Sequence, residues 1–290
     1  MKTFILSLFA LFVVHTTYSQ VQKPVKLRGF LQVAPSRDNA IPYGANPKAG
    51  HYANAGDARI YYEVYGQGKV FVILHGGVLG STYDMAQFIE NLSKTYQVVA
   101  ISTRGHGKSE IGTAPVTYEQ KANDVMAVIK AVTNEKATVL GFSDGAYTAY
   151  KLAAMYPEKV DKLIAIGAGD LYMGPRSYKF SQQNALTLDS LFWKQQQALN
   201  PEPQKMDGYL ADLTNFYNHL TVSKELFNTI KCPVLVMAGE RDTNAPLPTV
   251  INAYNMIPNS QLAIIPHAGH GVFLENFPAV WASIVPFLKN

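Results

Sequence analysis

A strand, a sharp turn and a helix are written into Thr138-Val139-Leu140-Gly141-Phe142-Ser143-Asp144-Gly145-Ala146. The apolar, β-branched run reads as the strand, and Ala146 to Ala154 as the helix that leaves it. Such a turn holds Ser143 in a strained backbone conformation and lifts its hydroxyl clear of the sheet. Gly141 and Gly145 flank the serine because strand and helix approach too closely there for a Cβ. The helix N-terminus behind Ser143 offers free N–H groups and a positive dipole end, suited to a developing oxyanion. In this setting Ser143 is a candidate nucleophile. Without the setting, Gly-x-Ser-x-Gly is a Gly-rich turn with an incidental serine.

The rest of the core repeats the strand-then-helix texture. Ala58 to Tyr65 reads as a strand. Val70-Phe71-Val72-Ile73-Leu74 is apolar throughout, as expected of a strand covered on both faces of a parallel sheet. Further strands are predicted at Val98–Ile101, Leu163–Ile166, Val234–Ala238 and Leu262–Ile265, with helices over Tyr83–Lys94, Tyr118–Val132 and Phe277–Leu288. On the second helix Val125, Ile129 and Val132 share one side. This alternation predicts an α/β fold with a mostly parallel sheet flanked by helices. Between about 171 and 230 strand-like runs vanish, and Gln, Leu, Asn and aromatics such as Phe192, Trp193, Tyr209, Phe216 and Tyr217 take over. Helical spacing there predicts a small helical insertion. Its aromatics either line a pocket over Ser143 or form the insertion's own core.

The first residues carry an export signal. Lys2 supplies the positive start, Phe4 to Val14 the apolar run, and Thr17-Tyr18-Ser19 the small residues of a cleavage site, so cleavage is expected after Ser19. The run is short for a membrane span, which needs about 20 apolar residues, so an uncleaved anchor is the minor alternative and no stable span is expected after cleavage. The mature chain is then periplasmic or secreted. Residues 20–56, rich in Pro, Gly, Ala and Asn, are expected to be an extended segment wrapping the domain edge, or a linker. Residues 57–290 make up the main domain. Cys232 is the only cysteine, so no internal disulfide helps the fold, and it reads as a small buried apolar residue. With a formal charge of +4 and scattered basic residues, nucleic acid is not an expected partner.

Ser143 is inert near neutral pH unless a base takes its proton and a partner orients that base. Both partners are available at strand ends. Asp242 follows Ser143 by about 100 residues in Gly239-Glu240-Arg241-Asp242, and His270 follows by about 30 more in His267-Ala268-Gly269-His270-Gly271. Loops at the carboxyl ends of parallel strands build ligand sites. His75-Gly76-Gly77-Val78 is another such loop. Its Gly77 N–H is the expected first oxyanion donor, with Val78 as rival, and the Asp144 N–H the second. His75 is expected to be hydrogen-bonded within its loop. Asp170 and Glu240 compete with Asp242 for the acid, and His267 with His270 for the base. His267-x-x-His270 lacks an intervening Glu and a third ligand, so no metal is expected. Gly107-Lys108-Ser109 resembles the end of a phosphate loop, but Ser102 stands where that motif needs glycine, so a tight structural loop is the better reading.

With the order Ser, Asp, His, the elbow and the insertion, residues 57–290 resemble the α/β-hydrolase superfamily. The Gly-Phe-Ser-Asp-Gly elbow is similar to that of the small-molecule esterase, lactonase and amidase branch, and valacyclovir hydrolase-like proteins share Ser-Asp-Gly. The resemblance implies an α/β-hydrolase fold with a helical cap, Ser143 as nucleophile, Asp242 as acid and His270 as base. It implies hydrolysis of a small-molecule acyl substrate through an acyl-enzyme, most simply an ester (class 3.1.1), with no cofactor. C–C bond hydrolases and perhydrolases use the same triad, and some members of the fold are ligand-binding receptors with little turnover. Asp144 either points inward to pair with a cationic substrate group or orders the elbow from outside the pocket.

Overall fold

The computed structural model describes residues 26–30, 41–171 and 176–289. The expected signal at 1–19 lies outside them. An eight-stranded sheet runs in the order β1-β2-β4-β3-β5-β6-β7-β8. Its strands are β1 (Gly50–Asn54), β2 (Arg59–Tyr65), β3 (Val70–Leu74), β4 (Gln97–Ile101), β5 (Ala137–Phe142), β6 (Val160–Ile166), β7 (Val234–Gly239) and β8 (Ser260–Ile265). β2 is antiparallel to both β1 and β4, and β3 to β8 run parallel to one another. The helices are α1 (Ala86–Leu92), α2 (Tyr118–Val132), α3 (Asp144–Met155), α4 (Gln182–Leu199), α5 (Met206–His219), α6 (Lys224–Phe227), α7 (Leu247–Met256), α8 (Val272–Glu275) and α9 (Phe277–Lys289). None of the described helices is long and apolar enough to cross a membrane.

The continuous apolar strands serve two cores because successive side chains leave opposite faces of a strand. Val72, Leu74, Val139, Ala165 and Val236 face one side and pack under α2, α3 and α7. Phe71, Ile73, Leu140, Ile164 and Met237 face the other and pack under α1, α8 and α9. Cys232 is buried in the first core, where desolvation pushes its thiol up to about 11.

One expectation is corrected at the leading edge. Gly50–Asn54, read within an extended segment, is a strand paired with β2, with His51 stacked on Tyr62 and Tyr52 edge-on to Tyr61. Its composition shows no alternation, and the partner strand supplies the order. Just before it, the buried Glu63 carboxylate accepts from the Gly44 and Asn46 N–H groups and from the Tyr61 and Tyr65 hydroxyls, which staples this part of the chain to β2.

The cap leaves and returns beside a bridge between Leu171 and Val222. α4 breaks at Asp189 (φ −153°, ψ 88°), whose carboxylate caps the restarted helix at the Phe192 N–H and pairs with Arg28 at 2.9 Å. The cap then docks on the loop after β4. Tyr209 donates to the Arg104 carbonyl, Asn200 to those of Gly105 and Ser109, and Glu202 accepts from the Ile111 and Gly112 N–H groups. Of the cap aromatics, Trp193 and Tyr209 form its own small core with Met206, Leu210 and Leu213.

Candidate active site

Ser143 sits between β5 and α3 at φ 53°, ψ −118°, a conformation unfavourable for any residue with a Cβ. The two glycines permit it. A Cβ on Gly141 would lie 2.3 Å from the Gly145 carbonyl, and one on Gly145 would lie 2.5 Å from that of His75. The Ser143 N–H is tied to the Ile166 carbonyl at 2.8 Å, so β6 braces the turn.

The structure brings Ser143, His270 and Asp242 into one line. His270 Nε2 lies 3.0 Å from Ser143 Oγ, and His270 Nδ1 lies 2.8 and 3.0 Å from the two Asp242 oxygens. Asp242 can only accept, so Nδ1 carries the proton and Nε2 is left to accept from Ser143. Asp242 also accepts from the Asn244 and Ala245 N–H groups, both at 2.8 Å, and its side chain is shut off from solvent. The imidazole leans on the Phe142 ring at 4.9 Å between centroids, and a Cβ on Gly167 would come within 3.1 Å of its Cε1. Neither contact was legible in advance. This arrangement can move a proton from Ser143 to His270 while the buried carboxylate steadies the cation that forms.

The competing residues are elsewhere. Asp170 is buried against Asn252, with its second oxygen unpartnered among the described residues. Glu240 is exposed and accepts from the His267 N–H, and the exposed His267 ring meets Arg241 at 2.8 Å. No group of three or more His, Cys, Asp or Glu is placed to share a metal ion among the described residues.

Beside Ser143, the Gly77 backbone packs against Asp144. Asp144 opens α3, so its N–H has no intrahelical acceptor. Gly77 packs directly on it, since a Cβ there would lie 2.8 Å from Asp144 Cβ and 2.6 Å from the Tyr217 hydroxyl. Next to it, Val78 holds φ 52°. The loop is braced from beneath by His75, which donates from Nδ1 to the Gly76 carbonyl at 2.6 Å and accepts the Thr103 N–H at Nε2. Burial, then the neighbouring His106, pushes the His75 ring down to about 3, so it is neutral and no base for Ser143.

The Asp144 side chain turns inward. Its oxygens meet Lys121 Nζ at 2.9 and 2.7 Å, and one also accepts from the Tyr217 hydroxyl of α5. The Lys121 ammonium further lies over the rings of Tyr118, Phe216 and Tyr217. Burial alone would raise the Asp144 carboxyl, but the Lys121 charge outweighs it and holds the group below the usual carboxylate range. Lys121 was not singled out from the sequence. A signal existed, because Lys121 lies one turn before Val125 on the stripe that buries α2.

The family model described as the α/β hydrolase fold matches residues 69–208. Serine hydrolase BPHL of Homo sapiens is 28% identical over 258 residues, covering 83% of this chain and 86% of that one. The 2-hydroxy-6-oxo-6-(2'-aminophenyl)hexa-2,4-dienoic acid hydrolase of Metapseudomonas resinovorans is 24% identical over 248 residues, covering 78% and 86%. The chain has the α/β-hydrolase fold. A solved serine hydrolase involved in carbazole degradation superposes on this chain with a TM-score of 0.70 at 21% identity, over 83% of this chain and 98% of that one, which shows the shared fold. The doubly covered sheet read from the sequence is thus the sheet of that fold.

Proposed function

We propose that this chain cleaves a small-molecule carboxylic ester, with Ser143 as nucleophile, His270 as general base and then acid, and Asp242 as its orienting acid. The observation that carries this reading is the Ser143–His270–Asp242 hydrogen-bonded line, with the serine at a strained turn. Ser143 Oγ attacks the acyl carbon as its proton passes to His270 Nε2, and the C=O electron pair moves onto oxygen. That oxyanion is received by the N–H groups of Gly77 and Asp144. Collapse of the tetrahedral centre breaks the ester C–O bond, and His270 returns the proton to the departing alcohol. Water, deprotonated by His270, then releases the acid and restores Ser143.

A second reading, hydrolysis of a C–C bond next to a ketone on the same triad, draws on the likeness to the dienoic acid hydrolase. Export of the mature chain rests on residues 1–19 alone.

The test is intact mass after a fluorophosphonate, with Ser143→Ala alongside, followed by kcat/KM on esters, lactones, amides and a ketodienoate. One adduct on wild type, none on the variant, and esters leading the panel is the expected result. An unlabelled but folded wild type would overturn the nucleophile and leave a ligand-binding role in its place. A leading ketodienoate would replace the ester.

A further inference from the structure

Asp144 places a carboxylate beside the candidate nucleophile, yet Asp144 and Lys121 are only 4% and 5% exposed. A carboxylate buried that deeply requires a cation, from the protein or from the substrate. We propose that Lys121 is a specificity-determining residue: its ammonium fills the cation position against Asp144, so the acyl site accepts uncharged acyl groups and rejects amines. This rests on Ser143 being the nucleophile.

Three observations carry it. Both Asp144 oxygens are engaged by Lys121, and one of them also by Tyr217, so an incoming ammonium would compete with a charge already paired to both oxygens. The Lys121 head is enclosed by the rings of Tyr118, Phe216 and Tyr217, and cannot swing into solvent to make room. A second cation would therefore sit against the first in a site of low dielectric, where like charges repel strongly. In addition, the Tyr118 hydroxyl, 2% exposed, faces the Asp144 charge without a hydrogen bond of standard geometry. It is an uncharged group still able to meet a neutral polar substituent. Asp144 is placed by Gly77, which packs on its Cβ, so the pair borders the residues whose N–H groups are proposed to receive the acyl oxygen.

The experiment compares p-nitrophenyl esters of one acyl skeleton carrying an α-amino group, no charge, or a terminal carboxylate. Wild type, Lys121→Met, Lys121→Met/Asp144→Asn and Asp144→Asn are each titrated first with a fluorophosphonate. Ratios of kcat/KM are then read, so a common loss of rate cancels. Wild type is expected to favour the neutral ester. Lys121→Met should shift the amino-to-neutral ratio toward the amine by about tenfold or more, and adding Asp144→Asn should erase that shift. Asp144→Asn alone, which leaves the ammonium without its partner, should raise the carboxylate-to-neutral ratio by about tenfold. A wild-type preference for the amino ester overturns the proposal, as does a ratio held within about threefold in folded Lys121→Met. Should Lys121→Met not fold, an unchanged carboxylate ratio in Asp144→Asn overturns it. Absence of labelling on wild type instead removes the nucleophile, a separate failure.

Discussion

Replacing Gly77 by alanine tests the proposed oxyanion site through a clash whose size can be worked out. The new Cβ would stand 2.8 Å from Asp144 Cβ, whereas carbon atoms rest at about 3.5–4.0 Å. One side must therefore retreat by roughly 0.7–1 Å. Asp144 cannot, because it opens α3 and is clamped by Lys121 and Tyr217. The loop moves instead and carries the Gly77 N–H off its target. Losing one oxyanion donor costs about 10²–10³ in kcat, some 2.7–4 kcal/mol, and a misplacement of about 1 Å costs about 10². We expect kcat to fall about 10²-fold and KM to stay within about threefold, because the contact strengthens only as charge develops. Initial rates on p-nitrophenyl acetate, normalised to fluorophosphonate-titrated sites, measure it. Gly76→Ala is the control, since its Cβ meets the Phe142 ring at 3.1 Å and Ser143 Cβ at 3.7 Å, not Asp144. A Gly77→Ala enzyme that keeps kcat within about threefold of wild type would refute the assignment and pass the role to Val78.

Two more predictions concern the residues around Ser143. Asp242→Asn should lower kcat by about 10⁴ by favouring the wrong His270 tautomer, while Asp170→Asn leaves it within about threefold, and steady-state kinetics on the two variants separates the rival acids. His75 is neutral in the fold down to about 3, whereas the unfolded chain protonates it below about 6.5, so the unfolded state takes up more protons and acid weakens the fold across that window. By pH 5 this costs about 2 kcal/mol, so urea midpoints at pH 7 and pH 5 should fall less for His75→Gln than for wild type; equal falls would exclude His75 as the source.

Much of the fold was legible in the chain because its signals are local. Five consecutive buried apolar residues at Val70–Leu74 need two covered faces wherever they lie, and α2 was readable from Tyr118 to Val132 by its stripe alone. Ser143 announced itself because the strained turn needs its glycines within two residues. Asp242 and His270 were legible as loop residues at strand ends in a familiar order, which says nothing of distance. β1 was missed because Gly50–Asn54 becomes a strand only through β2.

The tertiary structure alone decided which acid met His270. Asp170 and Asp242 follow adjacent strands, and the loop after β7 turns Asp242 onto the imidazole while Asp170 is held by Asn252 of α7. It alone decided the charge beside Ser143 too. Lys121, Asp144 and Tyr217 come from α2, α3 and the cap, and no spacing along the chain links them. Periodicity and turn chemistry act over a few residues, so a single sequence displays them openly. The pairing of a buried charge depends on which helices share a face of the sheet, and only the folded chain settles that.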